Sequence, residues 1–66
     1  MKNRIKVARA ELDMTQADLA DKIGVSRQSI NAIEKGKFVP SAVLALKIAR
    51  LFKKPVEDIF SLEDQD

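Results

Sequence analysis

The sequence predicts an all-α domain of five helices. Three observations carry this expectation. Apolar residues recur at helical intervals in segments running from Ile5 to Phe60. The only glycines and prolines, Gly24, Gly36, Pro40 and Pro55, fall between those segments. Four segments are headed by a residue able to cap a helix: Asn3, Thr15, Ser26 and Ser41.

The first helix is expected over about Asn3 to Leu12, with Asn3 as its cap and Ile5, Ala8 and Leu12 as its buried stripe. Asp13 breaks the pattern. Thr15 caps a second helix, Gln16 to Ile23, and Asp18 stands where a relative of the capping box would place its acid. Leu19, Ala20 and Ile23 face inward. Gly24 follows, as a helix end that needs positive φ requires. Ser26 caps a third helix, about Arg27 to Lys35, anchored by Ile30 and Ile33 with Val25 in support. Gly36 ends it, and residues 37–40 form a loop. Ser41 caps a fourth helix, about Ala42 to Lys53, which Pro55 stops. A short fifth helix, about Val56 to Phe60, turns Val56, Ile59 and Phe60 inward. Residues 61–66 read as an acidic tail. No strand is expected, although Leu62 could join a short extended segment.

The chain of 66 residues makes a single domain, 1–66. A chain this short buries only about 60 % of its unfolded surface, so a second subunit would help it. With no cysteine and no histidine, disulfides, thiolate metal sites and the usual neutral-pH base are excluded. Asp13, Asp18 and Asp21 lack a coordinating loop, so no metal or cofactor is expected. There is also no phosphate-cradling glycine loop, and an enzyme is not expected. The basic start, Met1 to Lys6, is not followed by an apolar run of signal-peptide length. The longest apolar run, Ala42–Leu46, is too short to cross a membrane. A cytoplasmic protein is the expectation.

Charge is unevenly spread. Residues 1–54 carry +7 and residues 55–66 carry −5. A polyanion-binding body with an acidic tail and a solvated surface with a frayed end both fit that division.

Residues 16–35 decide between them. Ala20 is small where two helices cross, Gly24 makes a tight turn, and Val25 plugs the corner. The third helix is held by two isoleucines, so its other face stays free. That face, Ser26, Arg27, Gln28, Asn31, Ala32 and Lys35, is polar, cationic and free of acids. Arg can grip guanine O6 and N7, and Gln or Asn can pair with adenine N6 and N7. Arg27, Gln28 and Asn31 are therefore the candidate base readers. Lys35 and Lys37 are candidate phosphate contacts. Gln16, at the start of the second helix, is placed to hold a phosphate and brace the third. Ser29 and Ser41 are weaker phosphate candidates.

These residues resemble the Cro/CI-type, or XRE, helix-turn-helix family, especially its minimal single-domain members. The resemblance rests on Thr15-Gln16-x-x-Leu19-Ala20, on Gly24 to Ile33 with Glu34-Lys35-Gly36, on Pro40-Ser41, and on Leu44-x-Leu46-x-Ile48-Ala49. Pro55-x-Glu57-Asp58-Ile59-Phe60 completes it. The resemblance implies a lambda-repressor-like five-helix fold, operator binding and, often, homodimers. It also implies a structural ion pair between Arg9 and Glu34. Ala32 departs from relatives that carry a longer polar residue there. It can touch a thymine methyl but cannot hydrogen-bond, so no operator sequence carries over.

The fourth helix suggests a partner. At about 100° per residue, Ala45, Ile48, Ala49 and Phe52 form its inner face and Lys47 and Arg50 its outer one. Val43, Leu44 and Leu51 flank the outer face and cannot all reach one core. With Val56, Phe60 and Leu62 they form the candidate dimer interface. The reading is a dimeric regulator, a repressor, on a near-palindromic site in double-stranded DNA, with no small-molecule ligand evident. The alternative is an antitoxin-type interaction module with autoregulatory DNA binding. The short segment after Phe60 disfavours it.

Overall fold

The computed structural model describes residues 1–66. In chain order the elements are β1 (Lys2–Asn3), α1 (Ile5–Glu11), α2 (Gln16–Ile23), α3 (Arg27–Glu34), α4 (Ala42–Phe52), α5 (Val56–Ile59) and β2 (Phe60–Ser61). The five expected helices are present, and α2 and α3 form the expected helix-turn-helix.

Local chemistry sets the helix starts. Thr15, Ser26 and Ser41 each have extended backbone, and each side-chain oxygen accepts the N–H three residues on, at 3.0, 3.1 and 3.2 Å. At α2 the cap is reciprocal, because Thr15 N–H donates to Asp18 Oδ2 at 3.1 Å. The Thr15 backbone N–H, and after it the Thr15 hydroxyl, hold the Asp18 carboxyl below its ordinary range. Gly24 ends α2 in the left-handed region, φ 76°. Open space surrounds the position a Cβ would take there, so backbone conformation alone demands glycine.

Every helix contributes to one core. Ile5, Leu19, Ile30, Ile33, Ile48 and Ile59 are fully buried, with Ala8, Ala20, Ala49, Phe52 and Phe60 around them. Branched isoleucines have few rotamers to lose on burial, which suits a core this small. α2 packs most extensively on α3. No helix is long and apolar enough to cross a membrane.

Several expectations need correction. The first helix starts at Ile5, and Asn3 belongs to a strand. Its carbonyl oxygen still accepts Ile5 N–H at 3.3 Å, while its amide donates to Ile33 O at 2.8 Å. One side chain thus fastens the N-terminal strand to the end of α3. Leu12 is 54 % exposed, because α1 ends before it and Asp13 turns the chain at φ 54°. Met14 packs against the core nearby. A two-stranded antiparallel sheet exists, pairing Lys2 with Ser61 and Asn3 with Phe60. Its C-terminal strand is Phe60–Ser61 and leaves out Leu62.

The acidic end is also less free than a solvated tail. The Met1 ammonium lies 2.9 Å from Glu63 Oε2 and 3.1 Å from Asp66 Oδ2. Those carboxylates, Glu63 first, raise its pKa above the ordinary value. Asp66 is lowered by Glu63 N–H and then by the ammonium.

Candidate nucleic-acid interface

The outer side of α3 follows from how the helix is held. Ile30 and Ile33 are buried, so the side chains opposite them meet solvent. Ser26, Arg27, Gln28, Lys35 and Lys37 are exposed, while Ser29, Asn31 and Ala32 are half-buried. The helix has eight residues. That makes it roughly 12 Å long, about the width of the B-DNA major groove.

Glu34 is the one acid in α3. Arg9 Nε donates to its Oε2 at 2.7 Å and Arg9 Nη2 to its Oε1 at 3.1 Å. The pair is two-pronged and largely out of solvent, with side-chain exposures of 13 % and 9 %. Arg9 Nη1 also donates to Met14 O at 2.9 Å, which ties the pair to the α1–α2 turn. The acid is thereby compensated from beneath and leaves the outer face without an unpaired negative charge.

Gln16 lies at the same junction. Its Nε2 donates to Glu34 Oε1 at 3.1 Å and to Asn31 Oδ1 at 3.3 Å. One amide therefore links the start of α2 to two residues of α3. Beside it opens a shallow concavity of about 420 Å³, lined in part by Arg9, Asp13, Thr15, Gln16 and Arg27. Gln16 and Arg27, from two different helices, share that opening.

The serines are engaged within the protein. Ser26 Oγ caps α3 and lies 3.0 Å from Ser29 Oγ, and Ser41 Oγ caps α4. Lys35 closes α3, and Lys37 follows on the exposed loop. Phe38 and Val39 are exposed beside Lys37.

The candidate dimer residues divide. Val43 and Leu62 are 64 % and 73 % exposed. Leu44, Leu51 and Val56 are half-buried against the core. Phe60 needs correction: it is 8 % exposed and belongs to the core, because the β1–β2 pairing turns it inward. Leu46, 57 % exposed, joins Val43 on the outer side of α4. Its helical offset from Val43, about 60° away from Lys47, could have revealed it.

Comparison with known proteins agrees with this geometry. The helix-turn-helix family model HTH_3 matches residues 5–59. Over 66 residues, all of both chains, the protein is 58 % identical to MJ0272 of Methanocaldococcus jannaschii, an uncharacterized HTH-type transcriptional regulator. It is 47 % identical over the same full length to YgzD of Bacillus subtilis, which bears the same description. A crystal structure from Bacteroides fragilis, described as a candidate DNA-binding protein, superposes with a TM-score of 0.79. That structure shares 33 % identity and covers 88 % of this chain and 94 % of its own.

Proposed function

The chain belongs to the helix-turn-helix family, and on that premise we propose that it is a sequence-specific transcriptional repressor that binds a near-palindromic operator as a homodimer. The observation that carries the reading is the exposed outer side of α3, whose one acid is compensated by Arg9 beneath it. Relatives described as HTH-type transcriptional regulators, alike over the full length, support regulation as the role. α3 lies in the major groove. Arg27 and Gln28 read base edges, Asn31 assists, and Lys35 and Lys37 meet phosphates. The opening between Gln16 and Arg27 takes a phosphate oxygen. Repression follows from occupying a promoter, which needs no further domain.

A second copy is favoured by the outer side of α4, where Val43 and Leu46 stand exposed beside Lys47 and Arg50. Two copies would place their α3 helices about 34 Å apart, one turn of DNA.

Footprinting at several salt concentrations tests the reading. The expected result is a symmetric protected site with half-sites about ten base pairs apart, and affinity that falls steeply with salt. Protection without symmetry would remove the dimer. Salt-sensitive binding with no preferred site would remove the base-reading role.

A further inference from the structure

We propose that the Arg9–Glu34 pair works through Gln16 to fix which way the Asn31 amide points, making Asn31 a hydrogen-bond donor toward DNA. The inference rests on the reading of α3 as the base-reading helix and adds a positioning residue, Gln16, to it.

Three contacts link Arg9 to Asn31 by way of Glu34 and Gln16. An ionised carboxylate only accepts hydrogen bonds, and an amide has a donor end and an acceptor end. Glu34 Oε1 accepts from Arg9 Nη2 at 3.1 Å and meets Gln16 at 3.1 Å. Gln16 must therefore turn its nitrogen to Glu34, since its oxygen there would face a second acceptor. The same nitrogen has one more hydrogen, and 3.3 Å away stands Asn31. Asn31 must answer with oxygen, because nitrogen would set donor against donor. Its own NH₂ is then directed away from Gln16. Each orientation follows from the one before, and the first is fixed by the charge of Glu34.

A consequence for recognition follows. An asparagine free to turn can pair with adenine through N6 and N7, using both its oxygen and its nitrogen. Asn31, with its oxygen engaged by Gln16, presents hydrogens. It suits the acceptors guanine O6 and N7, adenine N7 and thymine O4, and it disfavours cytosine, whose N4 is a donor. A largely buried acid beneath the DNA-facing side of α3 thus sets the polarity of a contact it never makes.

Two measurements test this. In the free protein, side-chain amide exchange by NMR should show the Gln16 NH₂ protons protected and those of Asn31 exchanging freely. The reverse pattern would overturn the amide orientation without reference to DNA. The second measurement is a binding selection from random duplexes, with wild type and Gln16→Met. Wild type should exclude cytosine at the base facing Asn31 by about tenfold. In Gln16→Met the Asn31 amide is free to turn, and the exclusion should shrink to about twofold while preferences at other positions stay. Uniformly weaker binding with an unchanged base ranking would show Gln16 to be a phosphate contact only, and the relay would be wrong. If wild type selected no sequence, the proposed function would fail and the base preference with it. The exchange measurement would still decide the orientation.

Discussion

In the proposed relay the Arg9–Glu34 pair serves stability directly and recognition through Gln16 and Asn31. With the pair at 13 % and 9 % exposure, removing one partner leaves the other charge poorly solvated. Arg9→Met should cost about 3 kcal/mol, whereas Arg9→Met with Glu34→Leu should recover most of it, as measured by urea unfolding. Equal losses in single and double variants would mean that the cost comes from packing. Asp18 provides a residue-scale pH dependence. Its folded pKa lies below the ordinary 3.8, so the unfolded chain takes up the proton first as pH falls. The contribution is complete above pH 3.8 and disappears as pH drops through the lower folded value. Unfolding midpoints compared between wild type and Asp18→Asn should therefore converge on the acid side of 3.8 and differ above it. That Gln16 braces α3 was legible in the sequence, but its two partners there were not. Asn31 and Glu34 lie 15 and 18 positions away, and no local pattern reports a bond that only the helix crossing creates.

The helices were legible because their boundaries are local chemistry. Thr15, Ser26 and Ser41 cap through an N–H three residues away, and Gly24 answers a backbone demand at its own position. The sheet was not legible. Its strands have two residues each, and the paired Lys2 and Ser61 stand at opposite ends of the chain, where no local pattern links them. The C-terminus of α4 was read a residue too far for a related reason. Lys53 takes the left-handed region, φ 56°, where the sequence offers no glycine to mark the stop. Two substitutions should therefore move stability in opposite directions. Gly24→Ala introduces a side chain at φ 76° and should cost about 1–2 kcal/mol. Lys53→Gly relieves the strain at φ 56° and should gain about 0.5–1 kcal/mol. Each kcal/mol corresponds to roughly 4–8 °C in thermal midpoint for a domain of this size. If Gly24→Ala were neutral, the turn between α2 and α3 would be more compliant than its geometry implies.

At the scale of the whole molecule, the chain measures 31 × 22 × 20 Å, small enough that two copies fit on successive major grooves of one DNA face. The proposed self-association uses the outer side of α4. Leu46→Glu places a charge on that side and should shift sedimentation from dimer to monomer, with operator affinity falling in parallel. A monomeric wild type would contradict the proposed homodimer. Base reading by α3 is the claim on which the rest depends. Its most direct measurement is the affinity of wild type and Arg27→Ala for the selected operator and for each single base-pair variant of it. Arg27→Ala should bind the operator about 1–3 kcal/mol more weakly and lose discrimination at one base pair per half-site, keeping it elsewhere. Unchanged affinity and an unchanged ranking of operator variants would contradict the placement of α3 in the major groove.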